Sequence, residues 1–500
     1  MSRRLNVVAT GILVLFLVVA IQAVNIQFFR SKALSASPIN PRNISGQTLF
    51  PRGEIVAADG TILARSVATS NGYSPWTRVY PLGALTAGVV GFSSPSYGPW
   101  ALEAQYNSYL TAHAQPPQSL AQLLAPQTAA DSLTITLEPQ LQRVARAAIG
   151  AQDGAAVVLD PRTGAVLAMY SNPSYDPAPM ESTTFAVAKA QWKKITTPNA
   201  HFFEPLALMA TQYSFPPGST MKVVTTSAVL LGRPDLLNKF YPVKTTISLP
   251  QSNRTLSNFG FGSCGGTIAE MLPPSCDTGF ALVGMDLGGA LLSSTAQKYG
   301  FNSSPPLDLP NVQASSFPSA ATLKYNLPAD AYSAIGQQNV RETALQNALV
   351  AAAIANHGVM MTPHLMDYIT GPDGTILQHW KDTAYLTPLS PTQAAFINAL
   401  MVKVVQVGTA SGVGFPANLD VAAKTGTAQI GNAAHQLDDW MIAFAPASDP
   451  TIAVAVVMPF QPVTTEGATV AGPIVKCLVE GALALQAHHR AYGTATTCPD

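Results

Sequence analysis

The chain has 500 residues, too many for one ordinary domain and enough for two or three. Charged residues make up only 11% of it, and 27 basic side chains balance 27 acidic ones, so that the formal net charge is +0. This balance excludes the basic surplus with which proteins bind nucleic acid through its phosphates. We therefore expect no nucleic-acid partner.

The N-terminal stretch is long enough to cross a membrane. Two arginines precede an uncharged run from Leu5 to Phe29, which exceeds the roughly 20 residues that a membrane-spanning helix needs. A cleaved signal peptide has a shorter apolar region, of about 7 to 15 residues. Cleavage stays an alternative, because Ala33-Leu34-Ser35 has the small-x-small pattern of a cleavage site. We expect residues 1–30 to be a cytoplasmic stub and a transmembrane signal-anchor.

Residues 31–130 contain many turn signals and predict an irregular segment with short strands. In the block from Phe50 to Ser66, Ala58-Asp59-Gly60 predicts a hairpin turn. Three charged residues are candidates for an ion-paired cluster, although solvent exposure is the simpler interpretation of each alone: Arg52, Arg78 and Glu103. The proline-rich stretch from Gln115 to Ala129 predicts a loop or linker.

From Leu133 onwards the pattern becomes that of an α/β domain. Gly154 to Ser171 predicts a hairpin of two apolar strands, and further strands follow Lys424. Helical patterns carry Ser219, fill much of the middle of the chain and return near Val470 to Gln486. Strands at both ends of a helical middle predict one sheet assembled from distant parts of the chain.

One stretch, from Phe215 to Leu230, carries a candidate nucleophile. Two prolines and a glycine precede Ser219 and an apolar run at helical spacing follows it, so Ser219 is predicted at the start of a helix. Lys222 lies three residues further on, and residues at i and i+3 share a helix face. A desolvated lysine can take the proton of a serine and activate it. A capping serine beside a solvated lysine is the plainer interpretation of this motif alone.

Two further motifs make the catalytic interpretation specific. Lys424-Thr425-Gly426-Thr427 lies in a predicted strand, where two hydroxyls, a cation and an open backbone suit a small carboxylate. Between the two stretches lies Ser275-Cys276-Asp277. The order S-x-x-K, S-x-N or S-x-D, and K-T-G resembles the motif set of penicillin-binding proteins and serine β-lactamases.

Other stretches extend this resemblance over almost the whole chain, which looks like a class B penicillin-binding protein and most like the penicillin-binding protein A group of actinobacteria. Pro51 to Ile55 resembles the opening of that family's non-catalytic pedestal domain. Ser171 to Pro177 resembles its S-x-P-x-x-D-P, and Ser275 to Phe280 resembles its S-C-N-T-x-F. The resemblance leaves no room before Pro51 for the glycosyltransferase domain of the two-enzyme class A.

The resemblance implies an α+β fold with three parts. An N-terminal membrane helix in residues 1–30 would precede an irregular, β-rich pedestal (dimerisation) domain in residues 31–130. Residues 131–500 would form an α/β transpeptidase domain similar to β-lactamases, with a central antiparallel sheet flanked by helices. The catalytic body would then lie outside the cell membrane, in an extracellular or periplasmic compartment that allows disulfides.

The resemblance also implies roles for the motif residues. Ser219 would be acylated by the D-Ala-D-Ala end of a peptidoglycan stem peptide, with Lys222 as general base and Ser275 as proton relay. Lys424 with the hydroxyls of Thr425 and Thr427 would bind the terminal carboxylate, and the backbone N–H groups of Ser219 and Thr427 would form the oxyanion hole. Gly426 belongs to the same substrate-binding strand. β-Lactams would acylate Ser219 and stall there.

The second motif has Asp277 where the group usually has asparagine. An ionised aspartate only accepts hydrogen bonds, and beside Lys222 it favours the ammonium form of the lysine. We therefore expect Asp277 to pair with a cation and the pair to titrate together.

Four cysteines allow three pairings, and local pairing is expected. Within the resemblance, a bridge between Cys264 and Cys276 would brace the second motif, with a contribution of roughly 3 kcal/mol in the chain-entropy model.

Several alternatives and partners follow from this interpretation. A D,D-carboxypeptidase or β-lactamase shares the three motifs, and a non-catalytic scaffold of cell division or a β-lactam sensor is the alternative outside enzymes. Expected partners are stem peptides, β-lactams, the cytoplasmic membrane, a glycosyltransferase and other division proteins. The histidines lack metal-ligand spacing and no cofactor motif occurs, so no metal and no cofactor are expected.

Overall fold

The computed structural model describes residues 2–25, 50–70, 75–114 and 128–488. Most of the predicted linker, the cleavage-like site after the apolar run and Cys498 lie outside the described residues. The first element is helix α1, Ser2–Val24, which falls within the predicted anchor. Its side chains from Thr10 to Gln22 are mostly apolar and exposed. The predicted anchor thus begins as a helix whose apolar side chains are exposed.

A small β-rich body follows this helix. Its strands are β1 Ile55–Val56, β2 Ile62–Ala68, β3 Trp76–Val79, β4 Ser93–Ser94, β5 Gly98–Pro99, β6 His113–Ala114, β7 Thr128–Ala129 and β8 Ser132–Ile135. Its short helices are α2 Ala87–Val90, α3 Leu102–Gln105 and α4 Asn107–Leu110. β1 and β2 form the predicted hairpin, in which Gly60 takes a φ of 83° and donates its N–H to the Ala57 carbonyl. The last two residues of the predicted linker, Thr128 and Ala129, are a strand that pairs with β6.

Residues 136–488 contribute thirteen strands, which are β9 Gly154–Leu159, β10 Val166–Asn172, β11 Tyr241–Lys244, β12 Thr246–Ser248, β13 Thr255–Ser257, β14 Cys264–Gly266, β15 Met360–Met361, β16 Met366–Thr370, β17 Ile376–His379, β18 Ala384–Leu386, β19 Ala422–Gln429, β20 Leu437–Ala445 and β21 Ile452–Gln461. Their α-helices are α5 Pro139–Ile149, α6 Phe185–Ile195, α7 Met209–Gln212, α8 Lys222–Gly232, α9 Ile268–Met271, α10 Asp277–Lys298, α11 Ala320–Leu323, α12 Leu327–Ala334, α13 Ala344–Ala355, α14 Pro391–Gln406 and α15 Gly467–His488. Two of them, α10 and α15, are long and apolar enough to cross a membrane, but both pack within the folded body.

The central sheet has five strands in the order β10-β9-β21-β20-β19, and every neighbouring pair is antiparallel. It joins an early hairpin to three late strands, as the sequence predicts. Alternate residues of β21 pack into different cores, with Ala455 and Val457 on one face and Val454 and Val456 on the other. Burial on both faces explains why this strand is an almost continuous apolar run. β19 is an edge strand, so one side of its backbone is open to a cleft.

The β-rich body shares its sheet with later residues. The six-stranded order is β17-β16-β8-β1-β2-β3, with β1 and β8 parallel. Strands from both sides of residue 130 therefore build one sheet. The division of the chain at that residue stays a prediction.

The three candidate charges of this body are buried and paired. The guanidinium of Arg52 donates to Glu103 Oε2 at 2.7 Å, and that of Arg78 donates to Glu103 Oε1 at 2.7 Å. Glu103 is 0% exposed. The candidate ion-paired cluster is confirmed and the simpler interpretation of solvent exposure was wrong, because carboxylate and guanidinium groups compensate one another's loss of water when they meet.

Candidate active site

Ser219 lies in a tight 3₁₀ turn, Gly218–Met221, which leads directly into α8. Gly218 has a φ of 55°, and a Cβ added to it would lie 2.6 Å from the Thr427 carbonyl oxygen. Only glycine allows the turn to approach the edge strand β19 this closely. The indole N–H of Trp440 on β20 also donates to the Pro216 carbonyl at 2.9 Å. The nucleophile turn is thereby held against the sheet.

Lys222 is the first residue of α8 and reaches the Ser219 hydroxyl from the next turn. Its Nζ lies 2.9 Å from Ser219 Oγ, 2.6 Å from the Ser275 carbonyl oxygen and 2.6 Å from Asp277 Oδ1. A neutral amine has two N–H groups and one lone pair, so it can donate to the carbonyl and the carboxylate while accepting from the serine. This is the arrangement that a general base requires.

The second motif crosses the floor of the cleft. Ser275 has a φ of 60°, an uncommon backbone conformation that is held by the loop between α9 and α10. Its hydroxyl lies 2.8 Å from Lys424 Nζ and 3.2 Å from Lys222 Nζ, and so bridges the two amines. Asp277 opens α10, and its Oδ2 accepts the Phe259 N–H at 3.1 Å. Cys276 is bonded to Cys264 on β14, which ties this loop to the rim of the cleft.

The third motif lies on the edge strand β19. Besides Ser275, the Lys424 amine contacts the Thr425 carbonyl oxygen at 2.9 Å. The Thr425 hydroxyl lies 2.6 Å from that of Thr409, and the Thr427 hydroxyl accepts the Gly467 N–H at 3.0 Å. A Cβ on Gly426 would lie 2.6 Å from the Pro217 carbonyl oxygen. Glycine here lets the nucleophile turn and the edge strand meet.

Together these motif residues surround one cleft. Its lining includes Ser219, Ser275, Asp277, Thr425 and Thr427, together with residues that the sequence analysis did not single out: Asn258, Phe259, Gly262, Ser263, Pro274, Thr409, Glu466, Gly467 and Ala468. Ser219 is 9% exposed, whereas both lysines are fully buried beneath it. The hydroxyls thus face the cleft and the amines stand behind them.

The electrostatics of the cleft lower the pKa values of both amines. Burial lowers the pKa of Lys222, and the Asp277 carboxylate opposes this shift. Burial also lowers the pKa of Lys424 well below its ordinary value, assisted by the positive charge of Lys222. Both pKa values fall because an ammonium group loses its hydration when it is buried, and a second positive charge nearby disfavours it further.

The residues that sequence reasoning missed come from segments without a recognised motif. Asp439 on β20 lies opposite Thr427 in the strand pair. Thr465 precedes α15, and Gly467 is the first residue of that helix. One signal was available, because Asp438-Asp439 is an acidic pair in an otherwise apolar strand. Which edge-strand residue this pair meets depends on strand register, which the sequence does not display.

The histidines have structural contacts. His201 Nδ1 lies 2.6 Å from Asp153 Oδ2, and its ring stacks on Phe460. The ring of His364 stacks on Trp380. Within the described ranges, no group of three or more His, Cys, Asp or Glu residues is placed to hold a metal ion.

Comparison with known proteins gives one consistent answer. Residues 154–480 match the family described as the penicillin binding protein transpeptidase domain, and residues 52–130 match the penicillin binding protein A dimerisation domain. The peptidoglycan D,D-transpeptidase PbpA of Mycolicibacterium smegmatis is 34% identical over 97% of this chain and 99% of its own. The PbpA of Mycobacterium tuberculosis is 33% identical over 96% of this chain and 98% of its own.

Solved structures agree. A ceftriaxone acyl-enzyme complex of penicillin-binding protein A from M. tuberculosis has a TM-score of 0.79 and 32% identity, and covers 89% of this chain and 100% of its own. The penicillin G acyl-enzyme complex of the same protein has a TM-score of 0.78, and covers 87% of this chain and 100% of its own. The α+β architecture predicted from the sequence is thereby confirmed. The chain belongs to the penicillin-binding protein transpeptidase family.

Proposed function

We propose that this protein is a peptidoglycan D,D-transpeptidase that cross-links stem peptides through an acyl-enzyme on Ser219 and is inhibited by β-lactams. The observation that supports this most is the contact of Lys222 Nζ with Ser219 Oγ at 2.9 Å, in a buried site that depresses the pKa of the amine. The relatives named as D,D-transpeptidases and the β-lactam acyl-enzymes among the structural neighbours support the same reaction.

Acylation would begin with attack of Ser219 Oγ on the carbonyl carbon of the penultimate D-Ala. The serine proton passes to the neutral Lys222 amine. Backbone N–H groups of Ser219 and Thr427 would stabilise the oxyanion that forms. The C–N bond to the terminal D-Ala then breaks, and its nitrogen takes a proton through the Ser275 hydroxyl, which lies within reach of both amines.

The terminal carboxylate of the donor peptide would be held on the edge strand. Lys424 supplies positive character behind Ser275, and the hydroxyls of Thr425 and Thr427 line the cleft. Gly426 lets the nucleophile turn pack closely against this strand. Deacylation follows when the amine of a second stem peptide attacks the ester carbonyl and the Ser219–acyl bond breaks, which restores the serine and completes the cross-link.

We further propose that the protein is a single-pass membrane protein with its catalytic body outside the cell. The exposed apolar side chains of α1 support an anchor, and the Cys264–Cys276 bond suits an oxidising compartment. Cross-linking acts on glycan strands that another enzyme polymerises. We therefore propose a glycosyltransferase and other cell-division proteins as partners.

The test is intact-mass analysis of the full-length protein in detergent after incubation with benzylpenicillin. We expect a long-lived adduct on the wild type and none on Ser219→Ala. Ser263→Ala is the matched control, since its hydroxyl also lines the cleft but lies outside the three motifs. An adduct that disappears within minutes would favour a β-lactamase-type hydrolase.

A second assay separates transpeptidation from the remaining alternatives. With a D-Ala-D-Ala peptide and an acceptor amine, the wild type should release D-Ala and form the amide product. Release of D-Ala without the amide would indicate a D,D-carboxypeptidase. A stable drug adduct with neither product would favour a sensor or scaffold.

A further inference from the structure

A buried carboxyl group stands directly behind the Thr427 hydroxyl. The register of β19 and β20 places Asp439 opposite Thr427. The Asp439 side chain is 0% exposed, its Oδ2 accepts the Thr465 hydroxyl at 2.7 Å, and its Oδ1 has no well-formed hydrogen bond. Within the part of the chain that the structure describes, no lysine, arginine or histidine pairs with it.

The Thr427 hydroxyl has one proton and two places to donate it. One of its lone pairs already accepts the Gly467 N–H, because α15 begins against the edge strand. Its proton can be donated to the Asp439 carboxylate or to a ligand in the cleft that Thr427 lines. The two acceptors compete, and an ionised carboxylate is the stronger one.

The charged groups around Asp439 are few. Glu466, at the entry to α15, is the other carboxylate on this side and raises the pKa of Asp439. Asp438 is the next residue on β20, so it lies on the opposite face of the sheet, where it accepts the Phe460 N–H and is near Arg341. The partner of Asp439 on β21 is Met458, which is apolar. On β19 the cation Lys424 is directed to Ser275.

We infer that Asp439 is a positioning residue whose protonation turns the Thr427 hydroxyl toward the cleft, so that ligands with a carboxylate bind more tightly when Asp439 is neutral. The inference rests on the proposed carboxylate-binding role of Thr427. A protonated Asp439 gains one O–H donor and is a weaker acceptor than the carboxylate, which favours donation of the threonine proton to the ligand, and protonation also removes a negative charge from behind the carboxylate site.

This coupling falls in an accessible pH range. Burial raises the pKa of Asp439 to about 6, while the hydroxyls of Thr465 and Thr427 act in the opposite direction. The ligand and the proton are therefore linked, and binding of an anionic ligand should weaken as the pH rises through about 6.

The experiment compares a charged and a neutral form of one ligand. The second-order rate constant for acylation of Ser219 is measured on the full-length protein, in detergent, with benzylpenicillin and with its methyl ester between pH 5 and 8.5. The ratio of the two rate constants cancels the titration of Lys222, which acts on both. We expect the ratio to fall by about tenfold across this range, the factor for one pKa unit of linkage.

Two variants test whether the fall in the ratio of the rate constants is due to Asp439. Asp439→Asn should keep the ratio high as the pH rises through about 6, because its amide is neutral throughout. Asp438→Asn is the matched control: it also removes a carboxylate from β20, but from the other face, and it should retain the fall.

A flat ratio for the wild type, which needs no variant to fold, would overturn the inference while leaving the proposed function intact. An Asp439→Asn profile that falls like the wild type would also overturn it. Failure of both ligands to acylate Ser219 would instead overturn the proposed function, and this inference with it.

Discussion

The molecule contains two buried clusters with the same charges and different properties. In the β-rich body, Arg52 and Arg78 share the Glu103 carboxylate. In the cleft, Lys222 contacts Asp277 directly and is linked through Ser275 to Lys424. Each cluster therefore holds two basic side chains and one acidic one, all of them buried except Asp277, whose side chain is 15% exposed.

The difference lies in whether a proton can leave. Burial alone lowers the pKa of Arg78, but Glu103 and Tyr80 outweigh it and the net shift is upward. Burial raises the pKa of Glu103, and the two guanidiniums outweigh this and leave it lowered. Both shifts favour the charged forms of Arg78 and Glu103. In the cleft both amines have lowered pKa values instead, so their protons are mobile. Arginine suits a permanent ion pair, and lysine suits proton transfer.

We call the group around Glu103 the structural cluster and the group around Lys222 the catalytic cluster. The largest effect on activity is expected when an arginine, as in the structural cluster, replaces the lysine of the catalytic cluster. Lys222→Arg keeps the positive charge but cannot supply a neutral base, so the rate of Ser219 acylation by benzylpenicillin should fall by about 10²- to 10⁴-fold. The measurement is the second-order acylation rate constant. Arg78→Lys is the reciprocal change and should leave that rate within twofold of the wild type, by order of magnitude. Unimpaired acylation by Lys222→Arg would contradict the role of general base.

Removing the Glu103 carboxylate, which Arg52 and Arg78 share, should lower the stability of the protein and not its acylation rate. Glu103→Ala leaves two buried guanidiniums without their carboxylate, and we expect the free energy of unfolding to fall by about 3–5 kcal/mol. Urea denaturation followed by tryptophan fluorescence measures it. Asp235→Ala is the control, because it breaks an exposed pair with Arg233 and should not change stability measurably. Equal stability of the two variants would show that burial of the cluster contributes nothing.

Neutralising Asp277 in the cleft should shift the pH dependence of Ser219 acylation. Asp277→Asn removes the charge that holds the pKa of Lys222 up, so this pKa should fall further. Since the neutral amine is the active form, the rising limb of the acylation rate against pH should move to lower pH, by about one unit or more. Asp286→Asn lies on the same helix, where its carboxylate contacts Lys239 near the surface, and should leave the limb in place. A profile unchanged by Asp277→Asn would refute coupled titration of the pair.

The smallest effect concerns Glu181, which meets the structural cluster through Tyr80. The Tyr80 hydroxyl lies 3.2 Å from Glu181 Oε1 and 3.3 Å from Glu103 Oε1. Burial, followed by the charge of Glu103, raises the pKa of Glu181 to about 8. Between about pH 4.5, its unfolded value, and 8 the native state holds the extra proton, so the stability that this proton contributes is lost as the pH rises.

Glu181→Gln should therefore flatten the pH dependence of the unfolding free energy, by about 1–2 kcal/mol between pH 5 and 8, less than the whole shift because the side chain keeps some solvent contact. Urea midpoints at several pH values measure this slope. The exposed Asp382→Asn should leave the slope as in the wild type. An identical slope for Glu181→Gln would show that this carboxyl titrates normally.

Much of the fold could be predicted because local patterns carry it. The hairpin at Asp59-Gly60, the strand pair from Gly154 to Ser171 and the apolar strand β21 follow from turn residues and from burial on one or both faces. Element ends were less certain: α15 begins at Gly467, three residues before the predicted start near Val470, and the N–H of Gly467 is held there by the Thr427 hydroxyl on the edge strand. The end of a helix depends on what its neighbours provide.

The sequence by itself determined the candidate nucleophile and its neighbouring amine, because the i, i+3 spacing alone places Ser219 and Lys222 on one face. It did not determine their surroundings. Only the tertiary structure decided that Ser275 joins Lys222 to Lys424, that Asp439 stands behind Thr427, and that the charges around Glu103 are buried. The physical reason is that sheet order and strand register bring residues from distant parts of the chain together, and their burial then sets which of them keep their protons.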